Sequence, residues 1–127
     1  TLYLYGGGTG WGVKTVTFTP SMADPQVLVY DATASDSKTK YSGAIKFCIS
    51  KDFKDENGTG YNQNNSYCFT CPLADDGTKQ TVSLPLDKAS ELHGGSDRPT
   101  RDSFYNVPSA DILILDLRNM TILARNK

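Results

Sequence analysis

The chain has 127 residues, with 13 lysines and arginines against 14 aspartates and glutamates and a formal net charge of −1, a size that suits one domain with a single core. So even a charge balance leaves no electrostatic footprint for nucleic acid or for an anionic membrane surface. No apolar run is long enough to cross a bilayer, and no signal peptide or lipidation motif is present.

Apolar residues recur with a period of two, which predicts strands rather than helices. The first strand is Leu2-Tyr3-Leu4-Tyr5, and because Thr1 already lies within it, the chain is expected to be a piece of a longer protein. The strand breaks into Gly6, Gly7, Gly8 and Gly10, four residues free to take positive φ. These flank Trp11, the one tryptophan. Either Trp11 plugs an end of the core, as buried tryptophans do, or it stands out as a flat stacking platform.

Further strands are expected over Val13–Phe18, Val27–Tyr30, Ile45–Ile49, Tyr67–Thr70, Thr81–Leu84, Ile112–Leu117 and Met120–Ala124. Arg118-Asn119 has the length of a two-residue hairpin loop. Turn residues punctuate the runs at Pro20, Asp24-Pro25, Ser42-Gly43, Asp76-Gly77, Gly94-Gly95 and Pro108. The pattern predicts an all-β, antiparallel β-sandwich of about seven or eight short strands, at most with a helical turn near Asp87–Leu92. Asp52–Ser66 and Ala89–Asn106 read as long loops, the kind that carry function or disorder.

Cys68-Phe69-Thr70-Cys71 has the spacing of a redox pair or half a zinc site. No second cysteine pair follows, His93 lies far along the chain, and the motif falls in a strand. Cys48, Cys68 and Cys71 are therefore read as buried or half-buried free thiols, with no metal and no cofactor. Asp52, Asp55, Glu56, Asp97 and Asp102 lie in loops, but nothing in their spacing fixes two of them as an acid and base pair. Serine-nucleophile, zinc-protease and phosphate-loop motifs are absent.

Carbohydrate binding fits the residue types best. A sugar's C–H face settles on an exposed aromatic ring, and its hydroxyls call for planar or charged polar groups. Trp11 is the candidate platform, with Tyr61 and also Tyr41 and Tyr105 widening it. Arg98, Arg101 and Asn62-Gln63-Asn64-Asn65 are candidate hydrogen-bonding groups. Lys46 alternates with Ile45 and Phe47, so it is expected on the outer face of its sheet.

These motifs, taken in order, resemble the starch-binding repeats of the SusE/SusF family. The resemblance rests on Leu2-Tyr3-Leu4-Tyr5-Gly6 leading to Gly10-Trp11, on Met22 and Asp24-Pro25, and on Ser42-Gly43-Ala44-Ile45-Lys46-Phe47-Cys48 with Phe53 beyond it. It closes with Asp116-Leu117-Arg118-Asn119-Met120-Thr121-Ile122, and so runs from Leu2 to Ile122. Gly7 and Gly8 stand where the family has Asn or Asp and Ala, and Ser109-Ala110-Asp111 replaces its Gly-x-Tyr.

The resemblance implies an immunoglobulin-like sandwich, residues 1–127 forming one glycan-binding domain at the C-terminal end of a surface lipoprotein. It further implies a non-catalytic role on the outer membrane of a Gram-negative bacterium, with an oligo- or polysaccharide as ligand and a glycan transporter complex as partner. Membrane attachment would come only through an upstream lipid anchor. It assigns stacking to Trp11 and hydrogen bonding to Lys46, while Arg98, Arg101 and Tyr61 come from loop chemistry alone. The alternatives are a spacer domain without a ligand, in which Trp11 would be buried, and a glycan-processing enzyme.

Overall fold

The structure, a computed structural model, describes residues 1–35, 38–50 and 67–127. Two sheets face each other around one core. The first holds β1 (Leu2–Tyr5), β2 (Lys14–Val16), β5 (Gly43–Cys48), β6 (Cys68–Thr70), β7 (Thr81–Ser83), β9 (His93–Gly95) and β10 (Phe104–Val107). The second runs in the order β3 (Thr19–Pro20), β4 (Val27–Asp31), β11 (Ile112–Asp116), β12 (Thr121–Arg125) and β8 (Ser90–Glu91). The all-β sandwich expected from the period-two pattern is thus the observed architecture. Among the described residues every strand pair is antiparallel except β7 with β10.

Register explains the core. In the second sheet Tyr30, Leu113 and Ala124 form one row across three strands, and Leu28, Leu115 and Ile122 form the next. In the first, Leu4, Phe47 and Phe69 line up across β1, β5 and β6. All of these are buried except Leu28, which packs partly buried against them. Phe18 joins the layers, its ring centroid 5.6 Å from Tyr30 and 6.4 Å from Phe47. Here the expected Val13–Phe18 strand divides: β2 ends at Val16, and the chain crosses to the other sheet before β3.

β5 is the hub. β1 lies along one edge of its second half, while the other edge is shared by β10 on Gly43–Ile45 and β6 on Phe47–Cys48. Ile45, Lys46, Phe47 and Cys48 are all buried, so this strand is covered on both faces rather than half-buried as its alternation suggests. Ile49, which continues that alternation, is exposed.

Three further expectations are corrected. The described residues hold twelve strands, not about seven or eight: β3, β8 and β9 are too short or too glycine-rich to stand out, and β10, four residues without glycine, falls at the end of the stretch read as a loop. The Ala89–Asn106 stretch is not a loop: it carries β8, β9, the four-residue helix α1 (Arg98–Arg101) and most of β10, and β8 takes the place of the helical turn near Asp87–Leu92. The β11–β12 connection is Leu117-Arg118-Asn119-Met120 rather than two residues, with Asp116 paired to Thr121. The Asp116 carboxylate accepts hydrogen bonds from the backbone N–H groups of Arg118 and Asn119, and Met120 closes the turn at φ 53°.

Candidate functional site

The Gly6–Trp11 loop is built on backbone contacts. Gly6 sits at φ 148° with no room for a side chain, since a Cβ there would lie 2.1 Å from the Ala44 carbonyl oxygen. A turn of 3-10 helix over Gly7–Thr9 follows, latched by the Thr9 hydroxyl donating to the Gly6 carbonyl and by the Trp11 N–H donating to the same oxygen at 2.9 Å. Gly10 and Trp11 then both take left-handed conformations, at φ 64° and 60°. For a bulky residue that is strained by about 1–2 kcal/mol. The result is an indole that is 60% exposed. Trp11 therefore does not plug the core.

The indole stands against two rings from neighbouring strands. Tyr5 meets it edge-on with centroids 5.7 Å apart, and Phe104 meets it at 5.8 Å with planes at 90°. Beneath them lies Lys46, on the outer face as its alternation predicts but only 1% exposed. Its ammonium is 5.6 Å from the Tyr5 ring centroid and 5.5 Å from that of Phe104, and it donates to the Arg101 carbonyl oxygen. Burial holds its pKa below the usual lysine value. Lys46 thus underpins the aromatic cluster as a cation–π strut, and its ammonium is turned away from the surface.

Beside the indole runs a shallow groove of about 380 Å³, lined by Trp11, Ala44, Lys79, Thr81, Asp102 and Phe104, near the low end for ligand sites. It continues past Asp102 onto a second depression lined by Gly77, Thr78, Lys79, Arg98 and Pro99. Arg98 and Asp102 face each other across that stretch with Nε 3.7 Å from Oδ2. Lys79 is exposed and has no ion-pair partner among the described residues.

Local hydrogen bonds set these side chains. Asp97 caps α1, its carboxylate accepting from the Thr100 N–H and hydroxyl, and Pro99 occupies the first turn. The Thr100 hydroxyl lowers the Asp97 pKa and also lies 2.9 Å from His93 Nε2. Buried Ser103 donates to the Pro99 carbonyl and accepts from the Gln80 N–H, which ties α1 to the strand that follows Lys79.

Of the residues singled out in the sequence, Trp11, Lys46, Arg98 and Arg101 fall in this one region. Trp11 and Arg98 face solvent, whereas Arg101 is 7% exposed and contributes its carbonyl rather than an open guanidinium. Tyr105 is a core residue whose hydroxyl donates to the Glu91 carbonyl, and Tyr41 packs against the core beside Tyr30, so neither widens the platform. Tyr61, Asn62–Asn65, Phe53 and the carboxylates Asp52, Asp55 and Glu56 lie outside the described residues. Tyr5, Lys79 and Phe104 escaped the sequence reading. Tyr5 was marked by its alternation with Leu4, but Lys79 and Phe104 reach the site only through the parallel β7–β10 pairing, which leaves no local signal. No family model matches this chain, and neither do curated proteins or solved structures.

Proposed function

We propose that this is a non-catalytic carbohydrate-binding domain of the SusE/SusF-like kind, in which a sugar ring stacks on Trp11 and lies along the groove toward Asp102. The observation that carries the reading is the exposed indole, held at φ 60° beside a groove lined by the Lys79 ammonium and the Asp102 carboxylate. Hydrogen-bond donors and acceptors come from Lys79 and Asp102, with Arg98 reaching a second sugar unit. The open, shallow shape suits one or two units of a longer chain and an affinity that grows by repetition across domains. By the same resemblance the domain belongs at the surface of a Gram-negative outer membrane, beside a glycan transporter complex.

Asp97 is engaged by Thr100 and Asp102 faces Arg98, which supports binding rather than hydrolysis. The test is affinity electrophoresis of the protein in gels containing soluble starch, other α-glucans, β-glucans, mannan and pectin. At least one glycan should retard the wild type, and Trp11→Ala should run as it does in plain gel, with Lys79→Ala intermediate. Equal retardation of wild type and Trp11→Ala, or no retardation by any glycan, would refute the proposal.

A further inference from the structure

The outer face of the first sheet holds a second cluster, apart from the groove and independent of what binds there. Cys48 of β5 and Cys68 of β6 are register partners with their sulfurs 3.3 Å apart, both wholly buried beneath Tyr3 and Val13. The adjacent pair, Ile49 and Tyr67, carries the inter-strand hydrogen bond, from the Ile49 N–H to the Tyr67 carbonyl at 3.3 Å. Pairs alternate along an antiparallel ladder, so Cys48 and Cys68 form the non-hydrogen-bonded, closely spaced kind, with Cα atoms about 4.5 Å apart. That spacing lies inside the range that disulfides span, about 4.4–6.8 Å.

The other arrangement suggested by the sequence fails on geometry. Cys68 points outward and Cys71 points into the main core, where its thiol donates to the Gln80 carbonyl. The Cys-x-x-Cys sulfurs therefore lie on opposite faces of the first sheet.

We propose that Cys48 and Cys68 are a disulfide site: under oxidising conditions they close a cross-strand bond between β5 and β6, leaving Cys71 as a thiol. The sulfurs need to approach by little more than 1 Å to reach the bonding distance of about 2.04 Å. In the forming step, which takes place during folding before Tyr3 and Val13 cover the pair, one thiolate attacks a small-molecule disulfide such as oxidised glutathione, expelling one glutathione thiol and leaving a mixed disulfide. The second thiolate attacks the protein sulfur of that mixed disulfide and expels the other glutathione. The protein loses two protons and two electrons, and one glutathione disulfide becomes two thiols.

In the folded pair local charge favours the thiolate on Cys68. The hydrogen bond shared between the two sulfurs lowers the Cys68 pKa, and the charges of Lys46 and Arg101 act in the same direction. The same pairing, together with burial, pushes Cys48 up. The bond would staple the root of the segment that leaves β5 and returns at β6, the segment that contains Tyr61.

The test starts from the full chain, unfolded and reduced, then refolded either with reduced glutathione alone or with a mixture of reduced and oxidised glutathione, and alkylated in denaturant. With reduced glutathione all three cysteines should alkylate. In the mixture only Cys71 should alkylate, the mass should fall by the two hydrogens lost, and a proteolytic peptide should join Cys48 to Cys68. Cys71→Ala should form the same bond. The oxidised form should unfold about 10 °C above the reduced form, as expected for a loop of this length. Three alkylated cysteines from the mixture, a bond involving Cys71, or a persistent glutathione adduct on Cys48 or Cys68 would overturn the proposal.

Discussion

Trp11 holds its indole outward at the expense of its own backbone, which adopts a conformation that residues other than glycine, asparagine and aspartate avoid. This inverts the usual order of two substitutions. Trp11→Ala and Trp11→Gly lose the same ring and the same edge contacts with Tyr5 and Phe104, so they differ only in backbone preference. At most positions glycine is the less stable of the two, because it has more freedom to lose on folding. At φ 60° alanine keeps the steric clash and glycine removes it. Trp11→Gly should therefore be more stable than Trp11→Ala by about 1 kcal/mol in urea denaturation.

At the scale of the element, the glycine loop separates into residues with different duties. A Cβ on Gly8 would lie 2.3 Å from the Ser42 carbonyl oxygen and 2.9 Å from Ile45 Cγ1, whereas one on Gly7 would meet nothing closer than 3.8 Å. Gly8→Ala should push the loop off β5, lower stability by about 1–3 kcal/mol and displace the indole. Gly7→Ala should leave thermal unfolding, tryptophan emission and glycan retardation close to wild type. The sequence treats these two glycines alike, because what separates them is the approach of the Ser42-Gly43 backbone, a contact between distant parts of the chain. The same reasoning covers the other elements. Strands with a buried row, such as Ile112–Asp116, declare themselves through alternation. His93–Gly95 does not, since Gly94 is there to leave space for the Tyr67 ring, whose hydroxyl would be 2.7 Å from a Cβ.

Over the whole molecule, several surface carboxylates are held below their ordinary pKa by turn and ion-pair contacts. Asp31 drops to about 2 through hydrogen bonds from the Thr33 hydroxyl and N–H and from Lys127. Asp24 is lowered by Arg118, Asp76 by Thr78, Asp97 by Thr100, Asp111 by Lys40 and Asp116 by the backbone and side chain of Asn119. A carboxylate whose folded value lies below its unfolded one stabilises the fold at pH above the unfolded value and loses that contribution as pH falls through the folded one. Urea midpoints should accordingly be flat from about pH 7 to 5 and fall steeply between about pH 4 and 2. A midpoint that holds steady down to about pH 2 would contradict these assignments.

The parallel pairing of β7 with β10 has a consequence for assembly. Between those two strands the chain visits the opposite sheet at β8, returns at β9 and winds through α1, so the neighbour that Thr81 needs is made long after Thr81 itself. Tyr5 and Trp11 precede Phe104 in the chain, so two of the three rings of the cluster are in place before the third. A chain that stops short of Phe104 has its indole but lacks one wall of the recess beside it, so that wall is the last part of the groove to be put in place.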